Sequence, residues 1–462
     1  MSSLIADCLA QRHGDNFQLH EKFLNTQMVR VLRTIGYDRV YTRASGPYLY
    51  DAEGTEYLDL LSGFGVFALG RNHPTVVAAL TEVLQSQLPD MVQMDVSLLS
   101  GLLAERILAL CPPKLEKMFF CNSGAEATEA AIKFARYTTR REKILYCEHG
   151  FHGLTLGALS LNGEAVFREG FGPLLPQCDA VPFNDLPALE AALSRKDVAA
   201  FIVEPIQGKG VNIPSDDYLP EAARLCRRYG ALFVADEIQT GIARTGKFWA
   251  IEHWGVEPDM ILMAKALSGG FIPVGGVAMT APIMDAVFNR MDRAVVHGST
   301  FSKNNMAMAA GLATLQVIED ERLVENAARI GQELLSGMVL LQERYELLRT
   351  VRGKGLMVAL EFGSPKSFSL KAAWNLLETA NKGLFSQMIT IPLFKNHRIL
   401  SQVAGHGMNT VKFLPPLVIN DRDKDWILGA LDQVIADCHK VPGAIWDLGK
   451  TLTGHALKAK AG

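Results

Sequence analysis

The chain has 462 residues, a formal net charge of −3 and 48% hydrophobic residues, a composition typical of a globular protein with a sizeable core. It carries no basic surplus of the kind that binds nucleic acid, and no run of about 18 apolar residues that would span a membrane. The N-terminus lacks the long apolar segment of a secretion signal, and the seven cysteines include no CxxC pair. We therefore expect a cytoplasmic protein with reduced thiols and small-molecule partners.

Short apolar runs alternate with segments of helical periodicity between about residues 74 and 280. The runs that we predict to be strands cover residues 118–120, 144–146, 199–203, 232–234 and 260–263. Because helical segments separate these strands, the pattern indicates an α/β fold with a mostly parallel central sheet.

The last third of the chain reads differently. Residues 320–348 predict one long helix, and the sequence LRTVRGKGLMVALEF after it predicts strand structure. A further helix, the segment KFLPPLVI and a closing helix over about 421–438 follow. We expect a large domain of residues 74–330 and a smaller α+β domain formed by residues 1–73 and 331–462. The tail after residue 441 holds Lys450, Lys458 and Lys460 without periodicity, which favours partial disorder.

Polar or glycine-rich segments follow each predicted strand of the central sheet. CNSGAEATE follows the first run, CEHGFHG the second, EPIQG the third, ADEIQTG the fourth and AKALSGG the fifth. In open α/β sheets, ligands bind beyond the carboxyl ends of the strands. The sequence therefore predicts a binding site at this edge of the sheet.

The first of these segments is the start of a helix. Ser123, Gly124 and Ala125 would leave backbone N–H groups free at the helix N-terminus, which suits a phosphate group. The alternative is a simple capped helix, in which Glu126 and Glu129 interact favourably with the helix dipole. Both interpretations stay open on this segment alone.

Lys265 follows the last apolar run, and Asp236 ends the fourth. A desolvated lysine has a lowered pKa and can form a Schiff base, although a lone lysine at a strand end can also reach solvent. A buried carboxylate such as Asp236 is costly unless a cation meets it. Pyridoxal phosphate (PLP) enzymes pair a Schiff-base lysine with an acid at the pyridine nitrogen. The phosphate-binding helix, the acid and the lysine occur in this order and together predict a PLP site.

Two other patterns are weaker. Residues 241–247, GIARTGK, match GxxxxGK but lack the Ser or Thr that would hold magnesium, so we predict no nucleotide-binding loop. Cys147, His149 and His152 could be metal ligands, but no fourth ligand has a matching spacing, and we predict no metal site.

With these residues identified, the chain resembles the class III aminotransferases, PLP-dependent enzymes of fold type I. The motifs that carry the resemblance are FFCNSGAEATEAAIKFAR, HGFHGLTLGALS, FIVEPIQG, LFVADEIQTGIARTGKFWA, PDMILMAKALSGG, GSTF and KFLPPLVI, and it extends over about residues 48–435. It implies ping-pong transamination from an amine donor to a carbonyl acceptor, in a homodimer with the site at the interface. Racemisation, decarboxylation or an amino shift on the same catalytic residues is an alternative, and a non-catalytic binding protein is a remote one.

The resemblance also implies roles for individual residues. Lys265 would form the Schiff base and carry the proton, and Asp236 would pair with the pyridine nitrogen. Gln239 would lie near the phenolic oxygen of the ring, and Phe151 would stack on the ring face. Glu204 would support the network around Gln239.

The remaining cofactor-binding residues come from three segments. Ser123, Gly124 and Ala125 would hold the phosphate, joined by Thr300 from the other subunit. His152, which follows the stacking phenylalanine, belongs to the same cofactor-binding set.

The substrate pocket departs from the family. Phe64 would shape it, but Lys209 stands where enzymes acting on ornithine carry glutamate, and Lys412 stands where they carry an arginine that clamps a carboxylate. Lysine lacks the bidentate fork of arginine, and two adjacent lysines repel unless an anion lies between them. We therefore predict a donor or acceptor unlike ornithine or acetylornithine, such as an ω-amine, an aldehyde or a ketone. The alternative is that both lysines lie apart at the surface and that another arginine, such as Arg398, binds glutamate.

Overall fold

Residues 4–92, 94–380, 382–443, 445–449 and 452 are described by the computed structural model. The helices are α1 Leu4–Gln11, α2 Asn16–Phe23, α3 Thr26–Ile35, α4 Ser62–Gly65, α5 Pro74–Gln85, α6 Leu98–Ala109, α7 Gly124–Thr139, α8 Leu156–Leu159, α9 Ala165–Arg168, α10 Leu186–Leu193, α11 Tyr218–Tyr229, α12 Ala281–Val287, α13 Asn305–Asp320, α14 Leu323–Arg344, α15 Phe368–Ala380, α16 Phe385–His397 and α17 Asp421–Cys438. In this described part, no helix is both long and apolar enough to cross a bilayer.

The strands form three sheets. They are β1 Tyr41–Ser45, β2 Tyr48–Asp51, β3 Glu56–Asp59, β4 Lys117–Cys121, β5 Lys143–Cys147, β6 Cys178–Val181, β7 Val198–Val203, β8 Leu232–Asp236, β9 Met260–Met263, β10 Gly275–Met279, β11 Leu348–Lys354, β12 Met357–Phe362, β13 Ile399–Leu400, β14 Gln402–Val403 and β15 Thr410–Phe413.

The central sheet has seven strands in the order β4-β10-β9-β8-β7-β5-β6. Strand β10 is antiparallel to both of its neighbours, and the other strands share one direction. Every residue of β5 and β7 is buried, as expected for strands covered on both faces. The five predicted runs lie in β4, β5, β7, β8 and β9, so the prediction of an α/β fold with a mostly parallel sheet is confirmed.

Two strands of this sheet, β6 and β10, were not predicted. Strand β10 begins with Gly275 and Gly276, and glycine weakens a strand pattern because it has no side chain to pack. Strand β6 is a short edge strand with the sequence CDAV, in which only Val181 is buried. Neither segment has the continuous apolar run that identified the other five strands.

The two smaller sheets contain four strands each. One has the order β1-β2-β3-β13, and the other has the order β11-β12-β15-β14. Strand β13 pairs in parallel with β3, with Ile399 opposite Leu58. This pairing joins the N-terminal segment to the last third of the chain. The boundaries of the two domains stay a prediction.

The structure corrects the helix predicted over residues 320–348. Asp320 ends α13, Arg322 adopts a left-handed conformation with φ 52°, and a second helix, α14, follows. Leu348 already belongs to β11. The segment LRTVRGKGLMVALEF forms the hairpin β11–β12, and two helices, α15 and α16, precede the closing helix α17, whose bounds match the prediction.

The tail after residue 441 is not irregular throughout. Ile445 and Trp446 are buried in the main hydrophobic core, and the indole nitrogen of Trp446 donates a hydrogen bond to the carbonyl oxygen of Cys438 at 2.9 Å. The first part of the tail therefore packs on the core, and partial disorder of the tail stays a prediction. Lys450, Lys458 and Lys460 lie outside the described residues.

A close contact between α14 and the β11–β12 turn links the central core to the third sheet. A Cβ atom on Gly331 would collide with the carbonyl oxygen of Gly355, whereas a Cβ atom on Gly429 in α17 would meet open space. We expect Gly331→Ala to lower the free energy of unfolding by about 1–3 kcal/mol, because the hairpin would have to move away.

The matched control is Gly429→Ala, which should be neutral or stabilising by about 0.5–1 kcal/mol because alanine is the better helix residue. Urea unfolding followed by circular dichroism measures both variants. Equal stability of the two variants would contradict the close packing of α14 on the hairpin.

Candidate active site

Two cavities meet at the carboxyl edge of the central sheet. The first, of about 380 Å³, is lined by the N-terminus of α7 and by the turn after β9. The second, of about 710 Å³, extends from there towards β14 and β15. Phe151, Ile238 and Lys265 line both cavities. The predicted site edge is therefore the place where these two spaces join.

The N-terminus of α7 forms one wall of the first cavity. The Ser123 hydroxyl accepts a hydrogen bond from the Glu126 amide at 3.2 Å, and the Glu126 carboxylate accepts one from the Asn122 amide at 2.7 Å. The amides of Gly124 and Ala125 belong to the first helical turn, so they have no intrahelical acceptor. This helix start is both capped and open to an anion.

Glu129 has a different role from the predicted dipole interaction. Its carboxylate accepts hydrogen bonds from the Thr155 hydroxyl at 2.6 Å and from the amides of Gly157 and Ala158 at 2.9 and 3.2 Å. These bonds fix the start of α8 against α7. The preceding residues, Phe151 and His152, are thereby held beside the first cavity.

Asp236 is buried at the end of β8 and has a partner within the protein. Its carboxylate lies 2.6 Å from Nδ1 of His152 and accepts a hydrogen bond from the Ile238 amide at 3.0 Å. Burial lowers the pKa of His152, but the hydrogen bond and negative charge of Asp236 outweigh burial, so the pKa is raised overall. The Nε2 atom of His152 is buried and has no partner among the described residues. The sequence did not predict this aspartate–histidine pair.

Glu204 is buried and lines the second cavity. Its carboxylate accepts hydrogen bonds from the amides of Phe151 at 2.9 Å and Gly208 at 2.6 Å. Burial raises the pKa of Glu204. Its link to Gln239 is indirect: Lys412 donates hydrogen bonds to the Gly208 carbonyl oxygen at 2.6 Å and to Oε1 of Gln239 at 3.3 Å.

Lys265 lies two residues after β9 and has a left-handed backbone conformation, with φ 39°. Burial lowers the pKa of its amine, and the negative charges of Asp236 and Glu204 oppose that shift. A lowered pKa increases the neutral, nucleophilic fraction of an amine. The amine therefore has the character that a Schiff-base lysine requires.

Lys209 and Lys412 line the same cavity, so the alternative in which they lie apart at the surface does not hold. Lys412 is buried, and its pKa is lowered to about 7. Burial is the larger cause of this shift, and the positive charge of Lys265 adds to it. The Lys209 ammonium group lies 4.2 Å from the ring centroid of Phe167. Arg398 lines neither cavity and instead lies 5.6 Å from the ring of Trp426.

The other predicted pocket residues lie at its border. Phe64 has a left-handed conformation, lines the second cavity, and accepts a hydrogen bond at its carbonyl oxygen from Nε2 of Gln239 at 3.0 Å. Thr300 is exposed and lines neither cavity of this chain. Its assignment to the site of a partner subunit stays a prediction.

The two weaker sequence patterns form no comparable site. Residues 241–247 lie in turns, and the buried guanidinium of Arg244 donates to the carbonyl oxygens of Leu356 and Pro415. Burial lowers the pKa of Arg244 to about 9. Within the described residues, no group of three His, Cys, Asp or Glu side chains is arranged to hold a metal ion.

Several lining residues were missed by the sequence analysis. They include Phe167 in the one-turn helix α9, Ile238 and Gln402. Ile238 could have been found, because it lies between Asp236 and Gln239. Phe167 and Gln402 belong to elements too short to show a periodic pattern, so the sequence carries no signal for them.

The lowered pKa of Lys412 predicts a pH dependence of stability. The pKa of Lys412 is about 7 in the folded protein and 10.5 ordinarily. Between pH 7 and pH 10.5, the Lys412 amine is therefore protonated in the unfolded chain but largely neutral in the folded protein. The contribution of Lys412 to stability therefore rises with pH above 7 and is lost as pH falls through 7. From pH 7 to pH 9 the cofactor-free protein should gain roughly 2 kcal/mol relative to Lys412→Met.

Urea unfolding at several pH values measures this difference. The exposed Lys371→Met is the control and should follow the wild-type pH profile. A constant difference between wild type and Lys412→Met from pH 6 to pH 9 would mean that Lys412 titrates normally.

Comparisons with known proteins agree with this geometry. Residues 33–435 match the family model of the class III aminotransferases. The chain is 33% identical over 452 residues to the aminotransferase PigE of a Serratia species, covering 91% of this chain and 53% of that relative. It is 43% identical over 375 residues to a putrescine aminotransferase of Pectobacterium atrosepticum, covering 78% of this chain and 79% of the relative. The chain thus spans about half the length of the Serratia protein.

Solved structures give the same result. The ornithine aminotransferase of Toxoplasma gondii, which carries PLP at partial occupancy in its active site, aligns with a TM-score of 0.79 and 29% identity, covering 94% of this chain and 98% of that one. A PLP-bound amine transaminase from an uncultivated Pseudomonas species aligns with a TM-score of 0.76 and 30% identity, covering 87% and 95%. The family and these neighbours indicate PLP as the cofactor, and the chain belongs to the class III aminotransferases.

Proposed function

We propose that the protein is a PLP-dependent aminotransferase that moves an amino group from an amine or amino acid to a carbonyl acceptor. The observation that carries this proposal is the position of Lys265. Lys265 lines both cavities. The first is bounded by the start of α7, and the second also contains Lys209 and Lys412. An amine at this position can serve a cofactor and a substrate in turn.

The residues around the first cavity fit the cofactor. Ser123, Gly124 and Ala125 offer amide groups and a helix dipole to the phosphate. The buried Asp236 carboxylate, held by His152, lines the adjoining second cavity and would keep a ring nitrogen protonated. When bound, PLP supplies an electron sink for the bond that breaks at the substrate carbon.

The chain's own groups orient the reaction and move the proton. Phe151 would stack on the cofactor ring, and Gln239, whose side chain is held by Lys412 and by the Phe64 carbonyl oxygen, would lie near its phenolic oxygen. Lys265 accepts the proton from the substrate carbon and returns it, which its lowered pKa favours. Another reaction of this scaffold would use the same groups, so product analysis must decide between them.

We also propose a cytoplasmic homodimer. All seven cysteines are free thiols, which fits a reducing compartment. Exposed apolar side chains from residues 84–102 and 291–301 offer a large surface for a second copy. The partner subunit's Thr300 would then complete the phosphate site, because Thr300 lies outside the cavities of its own chain.

Borohydride reduction identifies the Schiff-base lysine. Lys209, Lys265 and Lys412 all line the second cavity, so each is a candidate for the bond. After incubation with PLP and reduction, we expect mass spectrometry to find the label on Lys265, and no label in Lys265→Ala. Lys412→Met is the matched control and should keep the label on Lys265. A label on Lys209 or Lys412 would refute the assignment.

The reaction class is tested on the wild-type holoenzyme. Because the lysine-bound cofactor absorbs visible light and its aminated form does not, a productive amine should bleach the band, and a carbonyl acceptor should restore it. The amines are glutamate, alanine, ornithine, putrescine and a long-chain amine. If amines change the spectrum and carbon dioxide is released, the decarboxylase alternative is correct. If the amino acid is recovered with its stereocentre inverted, the racemase alternative is correct.

Mixed dimers test the role of Thr300. We expect Thr300→Ala to weaken PLP binding by about tenfold, the cost of one phosphate hydrogen bond. Mixing this variant with Lys265→Ala chains produces one site that combines an intact Lys265 with the partner subunit's Thr300. That site should regain wild-type PLP affinity. If mixing restores nothing although mixed dimers form, Thr300 does not act across the interface.

A further inference from the structure

Gln402 is a buried polar residue on the substrate side that the proposed mechanism does not use. It lies on β14 directly opposite Lys412 of β15, so both side chains occupy the same face of the sheet, with Cβ atoms about 5 Å apart. Both line the second cavity. The Nε2 atom of Gln402 is buried and has no hydrogen-bond partner among the described residues.

Lys209 presents a second unpaired donor to the same cavity. Its Nζ atom is buried and also has no partner in the described part of the chain. Its Nζ atom lies 4.2 Å from the ring centroid of Phe167 and 5.4 Å from that of Phe151. The negative charges of Glu164 and Glu204 act on this amine, but neither carboxylate makes a hydrogen bond to it. An ammonium group left unpaired beside two aromatic rings is costly unless an acceptor reaches it.

The acids of this cavity do not supply that acceptor. Glu204 accepts hydrogen bonds from the amides of Phe151 and Gly208. Asp236 is paired with His152 and lines the wall next to Lys265. Lys412 adds a further positive group, although its own hydrogens are directed to Gly208 and Gln239. The cavity therefore has donors and positive charge in excess of its acceptors.

We infer that Gln402 and Lys209 together bind a carboxylate group of the substrate and so determine its specificity. A carboxylate has two oxygen atoms, which can accept one hydrogen bond from the amide and one from the ammonium group. No arginine lines the cavity within the described residues, so this pair takes the place of a bidentate clamp. A substrate without a carboxylate would leave both donors unpaired.

The proposed subsite lies away from the start of α7, where the phosphate of the cofactor would bind. Gln402 and Lys209 line the second cavity but not the first, which contains the start of α7. The inference rests on the proposed function because the carboxylate would belong to the amine or carbonyl substrate. The cavity of about 710 Å³ is large enough for a chain between that carboxylate and the reacting carbon.

Carboxylate binding can be measured without turnover. Titration calorimetry with hexanoate and with 1-hexanol compares two ligands that differ in the carboxylate. We expect hexanoate to bind the PLP-loaded protein, and Gln402→Met and Lys209→Met each to weaken it by about tenfold or more. Hexanol should bind the variants as well as it binds wild type, or better.

Lys382→Met is the matched charge control. Lys382 is exposed and lines the same cavity, so its removal tests general attraction without a buried contact. Its effect on hexanoate should be less than about twofold, because solvent screens an exposed charge. If all three variants lose hexanoate equally, or if inorganic phosphate binds as tightly as hexanoate with the same sensitivity, the inference is wrong.

The amine half-reaction then separates this inference from the proposed function. With 6-aminohexanoate as the amine, the Gln402 and Lys209 variants should have a KM about tenfold higher than wild type and an unchanged kcat. With hexylamine, both KM and kcat of the variants should equal those of wild type. If no amine changes the spectrum but hexanoate binding still depends on both residues, the proposed function fails and the subsite stands. If amines react and hexanoate binding is indifferent to both substitutions, the subsite is refuted.

Discussion

The buried carboxylate of Asp236 is the constraint on which the site depends. It ends an apolar strand whose last four residues are all buried, and an unpaired charge there would be strongly unfavourable. His152, supplied by the loop after β5, compensates that charge at 2.6 Å. Glu129 of α7 accepts hydrogen bonds from the start of α8, which follows the same loop. These contacts connect the start of α7, His152 and Asp236. The proposed cofactor site consists of these connected groups.

The substrate side is organised by positive groups. Lys412 holds the Gly208 carbonyl oxygen and Gln239 in place, and its lowered pKa shows that the protein disfavours its charge. The Nζ atom of Lys209 lies beside the ring of Phe167 and has no hydrogen-bond acceptor among the described residues. Such a pocket would discriminate between substrates by the hydrogen bonds that they fail to make. A substrate without acceptors would leave the donors of Lys209 and Gln402 desolvated and unpaired, which is unfavourable.

The sequence predicted those parts of the molecule that have a local signature. Strands β4, β5, β7, β8 and β9 have continuous apolar runs, and the polar residues after each run identified Asp236 and Lys265 in advance. The closing helix α17 has Asn420 as a cap, with acids in its first turn. This cap explains where the helix begins, and both observed bounds match the predicted ones.

The rest depends on tertiary contacts that no local pattern records. His152 and Asp236 lie 84 positions apart in the chain and meet only because β5 and β8 end at one edge. Gln402 belongs to a strand of two residues, and its position opposite Lys412 follows from pairing alone. The predicted helix over 320–348 failed at Arg322, whose left-handed conformation has no strong sequence signal.

A crystal structure of the protein grown with PLP would test the central claim most directly. The account predicts a covalent bond from the cofactor to Nζ of Lys265, its phosphate on the amides of Gly124 and Ala125, and its ring nitrogen at the Asp236 carboxylate. A cofactor joined to Lys209 or Lys412, or a phosphate bound away from the start of α7, would contradict it.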